Sequence, residues 1–363
     1  MEAAILHEFC KPLSIETVPD PVPGPGELVV DVYAATVLSY ANEVFANIRP
    51  YALALPMTPG CGAIGRVRTV GPDATRLASG DWVFCDPTVR SRDDAVAPDL
   101  MLQGWTAPSD GARRLQAHFR DGPFAERMLL PMESAFHLGT LDPAEAALWC
   151  ALGILLVPYG GLLAAGLQPG QVVLISGATG HFGSAGVAVA LAMGAAAVVA
   201  PGRNRAVLDD LAARFGPRVR TVALSGDEAL DRARMQEAAS CPIDCVLDIL
   251  PPLSDAAPVR AAAMTVRAHG SVVLMGGLGV GLELPYRHLM RNNITVRGQW
   301  MYPRDAVPRL IALIRAGLLS LDAFTVSEFP LAGINEAIIH AASTGGPFRL
   351  TVIGPTQGGA ANR

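Results

Sequence analysis

The chain has 363 residues, a formal net charge of −5 and 17% charged residues. That length can form two domains with their own cores, and a mildly acidic chain without a basic patch interleaved with aromatics excludes nucleic acid as the main partner. Six cysteines, Cys10, Cys61, Cys85, Cys150, Cys241 and Cys245, are too dispersed for a disulfide framework, and no basic segment leads into an apolar run at the start, so a cytoplasmic rather than a secreted protein is expected.

The N-terminal third reads as β-rich. Short strands are expected at 3–6 and 13–17. The prolines and glycines between Pro19 and Gly26 make a stiff turn region. Strands follow at 27–34, 62–70 and 82–85, the last entered through the turn Leu77–Ala78–Ser79–Gly80–Asp81. Residues 88–120 are charged, proline-containing and weakly periodic, and read as an exposed loop or lobe. Strand character resumes at 124–130.

Ala146 to Gly202 contains no Asp, Glu, Lys or Arg. Its first part, 146–167, is long enough for a membrane span. Pro158, Gly160 and Gly161 are expected to interrupt it, and a helix buried on every side beside a parallel sheet accounts for the same composition. The buried helix is the expectation and a membrane helix the alternative.

From residue 171 the pattern alternates. Strands are expected at 171–176, 195–200, 218–223, 243–248, 271–275 and 293–297, and helices at 181–193, 204–215, 227–239 and 254–268. Six strands with helical crossovers predict an α/β domain with a doubly wound parallel sheet. A helix at 304–317, a strand at 324–329, a helix at 331–343 and a strand at 348–353 follow. The Gly- and Ala-rich tail from Gly354 is expected to be disordered.

The segment that says most about function starts at the strand ending in Ser176. Gly177–Ala178–Thr179–Gly180–His181–Phe182–Gly183 follows at once, and a small-residue helix follows that. This order places a pyrophosphate on a helix N-terminus. Gly180 would let the backbone approach the phosphates and Gly183 would let the helix pack close to the strand. Ala178 stands where the first glycine of G-x-G-x-x-G is expected. His181 would touch phosphate or solvent.

A strand tip that grips NAD presents Asp or Glu, about 20 residues beyond the glycines. Here the tip reads Gly202–Arg203–Asn204–Arg205. A carboxylate would repel a 2′-phosphate, whereas arginine forks bind one bidentately, so NADP is expected. The alternative is that Arg203 and Arg205 are solvated charges opening a helix.

With these pieces in place the layout resembles the medium-chain dehydrogenase/reductase superfamily over nearly the whole chain. The matching segments are Pro23–Gly24–Pro25–Gly26–Glu27–Leu28–Val29–Val30, Pro59–Gly60–Cys61–Gly62–Ala63–Ile64–Gly65, Gly80–Asp81–Trp82–Val83, Gly122–Pro123–Phe124–Ala125–Glu126 and the loop at Gly177–Gly183. The resemblance implies a Rossmann doubly wound parallel sheet at 152–299 and a β-rich GroES-like catalytic domain from 1–151 and 300–363, with the active-site cleft between them. It also implies a homodimer and a small-molecule substrate; no membrane or nucleic-acid partner is expected.

Zinc-dependent members hold their metal with Cys, His and Cys, and zinc needs such donors in tetrahedral array. In this chain Leu38 or Ser39 stands where the first cysteine is expected and Cys61 where the histidine is expected. Cys150 matches the third ligand. Residues 86–120 contain no cysteine, so the structural-zinc lobe is missing too. No catalytic metal is expected, with Cys61 and Cys150 read as small buried residues or as the remnant of a zinc site. The resemblance then points to the zinc-independent, quinone oxidoreductase-like branch.

Without a Lewis acid, an acceptor that spreads its own charge, such as a quinone or enone, needs only hydrogen-bond donors. Zinc-free relatives place such donors at the segment matching 39–42. Tyr40 would donate a proton, and Ser39 and Asn42 would orient substrate or ribose. Otherwise Tyr40 packs and Asn42 caps the next helix. Ser176, Ile249, Gly276, Gly277 and Arg349 join the loop and the strand tip as cofactor contacts, and Trp300, Met301 and Tyr302 would wall the pocket or meet a partner subunit. Two other readings stay open: an alcohol or aldehyde dehydrogenase with a degenerate zinc site, and a non-catalytic NADP(H)-binding protein.

Overall fold

A computed structural model of the chain describes residues 1–94 and 96–355. By contact the chain divides into two units. One comprises Met1–Gly153, Leu321–Gly345 and the last strand, Arg349–Gly354; the other comprises Ile154–Ser320 and Gly346–Phe348.

The second unit holds one six-stranded sheet in the order Val219–Ala223, Ala197–Gly202, Val172–Ser176, Ile243–Asp248, Val266–Leu274, Thr295–Gly298. Every neighbouring pair is parallel. Chain order across the sheet is that of a doubly wound dinucleotide fold. Val172 and Leu174 turn to one face, where Val199, Val246 and the helix residues Met235, Ala239 and Ala261 pack on them. Burial on both faces explains why these strands read as unbroken apolar runs rather than alternating ones.

Three expectations change here. The helix Ala151–Ala165 runs unbroken through Pro158, Gly160 and Gly161. Its surroundings override local propensity: Pro158 packs near Gly186, and Gly160 abuts Met301 and Tyr302. The stretch Pro143–Ala165 is long and apolar enough to cross a membrane by composition, but 78% of its most apolar window is buried within the chain, as in a core helix. The helix expected to reach 268 stops at Ala263, and Val266–Leu274 is already strand, in keeping with the β-branched pair Thr265–Val266. Residues 300–320 cluster with this unit, although the sequence reading ended it at 299. The Met301 and Tyr302 contacts with Gly160, and Arg309 lying 5.9 Å from the Tyr159 ring centre, tie them there.

The first unit is built on a seven-stranded, mostly antiparallel sheet in the order Thr325–Pro330, Arg349–Gly354, Glu27–Val37, Ala63–Val70, Trp82–Cys85, Ala135–His137, with Arg127–Pro131 paired to Glu27–Val37. Gly354, expected to open a disordered tail, is the buried last residue of its strand; the rest of that tail beyond Pro355 lies outside the described residues. The 88–120 lobe is folded rather than an exposed loop. It contains the strand pair Thr88–Arg90 and Leu100–Leu102 and the helix Asp110–Gln116. Val89, Met101, Ala107, Ala112 and Phe119 form its own small core.

Candidate active site

The glycine loop leaves the buried end of Val172–Ser176. Gly177 turns the chain at φ +94°, a value that favours glycine, and its carbonyl accepts the Gly180 N–H at 2.8 Å. Gly180 caps the helix His181–Ala192 in extended conformation without a side-chain bond, and no acidic residue lies in the first turn. The first-turn N–H groups and the positive end of the helix therefore suit an anion. A side chain on Gly183 would drive into the Gly177 carbonyl and stand 2.9 Å from the Ala178 nitrogen, so helix and strand approach as closely as the sequence suggested.

Phe182 stacks edge-on against His181, with ring centres 5.4 Å apart. His181 does not turn its Nδ1 to phosphate: Nδ1 sits 3.0 Å from the Gly346 carbonyl, which can only accept, so Nδ1 carries the proton. Burial pushes its pKa below the ordinary value, leaving the ring neutral.

The adjacent strand ends at buried Gly202, and Arg203, Asn204 and Arg205 follow on the surface. No carboxylate stands at this tip. Among the described residues neither Arg203 nor Arg205 makes an ion pair. The Asn204 side chain is committed elsewhere, accepting the Val207 N–H at 3.3 Å as N-cap of Arg205–Phe215.

At the next strand end, Ile249 donates its N–H to the Ser176 carbonyl at 3.0 Å, and Gly277 donates to the Leu250 carbonyl at 2.9 Å. Burial lifts the pKa of the buried Asp248 carboxyl to about 6, against the lowering influence of the nearby Leu250 and Gly276 N–H groups and the Ser176 hydroxyl. Its Oδ1 has no partner among the described residues. Ser176, Gly177, Thr179, Gly180, Phe182, Gly183, Gly202, Ile249, Gly276 and Gly277 thus gather at the carboxyl ends of neighbouring strands, where doubly wound sheets bind ligands. Arg349 is outside this set, exposed at the start of its strand in the first unit.

In the first unit, Tyr40 occupies the N-cap position of the short helix Ala41–Phe45. Its ring meets Tyr51 and Trp105 edge-on, at 6.4 and 5.9 Å between centres, and Phe45 meets Trp105 at 5.7 Å. The Ala107 N–H donates to the Ala52 carbonyl and the Ala52 N–H donates to the Thr106 hydroxyl, which fastens the segments carrying Tyr51 and Trp105 together. Burial, with Tyr51 and Cys61 nearby, raises the Tyr40 pKa well above that of free tyrosine, and Arg49 only partly opposes this. The Trp105 Nε1 is buried with no partner among the described residues. Sequence reasoning missed Arg49, Tyr51 and Trp105; their only signal was a lone tryptophan in an apolar stretch of the lobe. Ser39 packs against Gly345, and Asn42 is an exposed residue inside the helix rather than its cap.

Residues 24–140 match the family described as alcohol dehydrogenase GroES-like domain, and residues 182–316 match that described as zinc-binding dehydrogenase. The two matches follow the order of the two folds and together span more than half of the chain. The chain belongs to the medium-chain dehydrogenase/reductase superfamily. It is 27% identical to an alcohol dehydrogenase of Moraxella sp. across 93% of this chain and 94% of that protein. It is 33% identical to one of Rhizobium meliloti over 53% of this chain and 55% of that protein. A thermostable alcohol dehydrogenase from Pyrobaculum aerophilum superposes with a TM-score of 0.74 at 25% identity, covering 98% of this chain and 99% of that one. A zinc-binding dehydrogenase from Sinorhizobium meliloti, bound to NADP, superposes with a TM-score of 0.76 at 22% identity, covering 98% and 99%.

As an oxidoreductase of this superfamily the chain needs a nicotinamide dinucleotide, and the bare helix N-terminus beside Gly177–Gly183 fits its pyrophosphate. A catalytic zinc does not fit. Leu38, buried hydrocarbon, offers no donor. Burial pushes the Cys150 thiol up to a pKa of about 12, despite the lowering influence of Thr36 and the Ile64 main chain. Burial, then the Asp86 charge, pushes the Cys61 thiol up as well. Among the described residues no three His, Cys, Asp or Glu side chains form a group able to hold a metal.

Proposed function

We propose that the chain is a zinc-independent, NADPH-dependent reductase that passes hydride to a conjugated acceptor of the quinone or enone type. The observation that carries the cofactor half is the strand tip at Gly202–Arg205, with two unpaired guanidinium groups and no carboxylate. Arg203 and Arg205 would take the 2′-phosphate. Ser176, Gly177, Thr179, Gly180, Phe182 and Gly183 would take the pyrophosphate, and Ile249, Gly276 and Gly277 the nicotinamide end. The NADP bound to the Sinorhizobium meliloti relative accords with this choice.

When bound, NADPH supplies the hydride. Tyr40 keeps its phenolic proton at working pH and can hand it to an acceptor oxygen. Such donors suffice where the acceptor delocalises charge. Six free thiols accord with a cytoplasmic enzyme.

A second reading, an alcohol or aldehyde dehydrogenase, is favoured by the names of the relatives. One sample of purified protein separates the readings: NADPH oxidation is followed against quinones, enones and aldehydes, and NADP⁺ or NAD⁺ reduction against alcohols, with zinc measured alongside. Metal-free protein turning over a quinone supports the proposal. Stoichiometric zinc with alcohol oxidation supports the second reading, and NADPH binding without turnover would make the chain a non-catalytic binder.

A further inference from the structure

We infer that Thr179 and Gly202 form a steric pair that keeps any side chain, an acidic one included, off position 202, so that the carboxylate-free strand end is set by two residues rather than one. The inference rests on the proposed NADP reading and names what enforces it.

Gly202 does not have the left-handed backbone that would itself demand glycine. It lacks a side chain because there is no room for one. A Cβ there would overlap Thr179 Cγ2 outright, and would stand 2.9 Å from its Oγ1 and 3.2 Å from its Cβ. Turning the Thr179 side chain moves its methyl and hydroxyl but leaves its Cβ in place, still 3.2 Å away. The loop is braced: Gly177 holds Gly180 by a 2.8 Å bond, Gly183 backs directly onto Gly177, and Gly177 itself stands against the Ile249 main chain of the neighbouring strand end. A carboxylate able to accept the two ribose hydroxyls needs a residue at this tip. Thr179 denies it that space, and the nearest side chains available are then the arginines at 203 and 205.

The test measures dissociation constants for NADP⁺ and NAD⁺ by calorimetry on the full chain and on Gly202→Ala, Thr179→Gly, Thr179→Gly/Gly202→Ala, Gly202→Asp and Thr179→Gly/Gly202→Asp. Gly202→Ala should weaken both dinucleotides about tenfold or more, the scale of an overpacking penalty. Adding Thr179→Gly should return affinity to that of Thr179→Gly alone. Gly202→Asp alone should bind neither dinucleotide well, and Thr179→Gly/Gly202→Asp should prefer NAD⁺. Undiminished NADP⁺ affinity in Gly202→Ala, or a clean switch to NAD⁺ by Gly202→Asp alone, overturns the steric pair. A wild-type preference for NAD⁺ would instead sink the NADP reading, while the two alanine variants would still decide the contact. If Gly202→Ala does not fold, thermal melting decides: recovery in the double variant supports the pair, and equal failure overturns it.

Discussion

The Arg49 guanidinium lies over the face of Tyr40, 4.2 Å from the ring centre, while its Nε pairs with Glu43 at 2.6 Å. Glu43 thus shares the cation's field, which leaves burial to dominate Tyr40 and keeps its proton in place. Tyr40→Phe retains the ring packing against Trp105 and removes only the hydroxyl. Quinone reduction should lose about 10²-fold in kcat, the scale of a missing general acid, with KM for NADPH unchanged. An unchanged kcat in steady-state assays would reduce Tyr40 to a packing residue.

Arg203 and Arg205 give a prediction that does not depend on turnover. With no carboxylate to release, both side chains are available to an anion. Arg203→Ala/Arg205→Ala should weaken NADP⁺ by about 10–100-fold, in keeping with loss of charge-assisted bonds, and leave NAD⁺ nearly untouched. The wild-type NADP⁺ affinity should also fall with added salt. Equal loss for both dinucleotides would remove the arginines from phosphate recognition.

Asp248 predicts a pH dependence of stability. Burial raises its pKa from 3.8 to about 6, so the folded chain holds this proton more tightly than the unfolded chain. Its contribution is fully present below pH 3.8 and lost as pH rises through 6, on the order of 3 kcal/mol. Asp248→Asn removes the titration. Thermal melts should show the variant gaining on wild type between pH 4.5 and pH 7, and parallel curves would mean that the carboxyl does not titrate in this window.

Much of this was legible locally and some was not, for physical reasons. Strand, glycine turn and helix are adjacent in sequence, so the loop at 177–183 could be read directly, as could the bare tip at 202–205. Tyr40, Tyr51 and Trp105 come from three segments joined only by tertiary bonds, and no periodicity announces that. The lobe misread as exposed hides its core in elements as short as the three-residue strands Thr88–Arg90 and Leu100–Leu102, too brief for a pattern to emerge. Pro158 misled because the local rule ignores the contacts that hold its helix straight through the proline.

The last prediction concerns a second copy of the chain. Thr295–Gly298 is an outer strand of the six-stranded sheet, hydrogen-bonded on one side only, and all four of its residues are exposed. Val280, Tyr286, Met290, Val296 and Trp300, in or near this strand along the chain, are exposed too. Native proteins protect such an edge with charge, bulges or a cover, and an apolar neighbourhood beside it marks an association surface. Two copies related by a two-fold axis would pair this strand with itself and cover both edges at once. Light scattering should give twice the 37.9 kDa chain mass. Val296→Lys places a charge on the edge without touching the buried core, and should yield a monomer whose NADPH binding is retained. A monomeric wild type, or a dimer that survives Val296→Lys, would assign that exposed edge to something other than self-association.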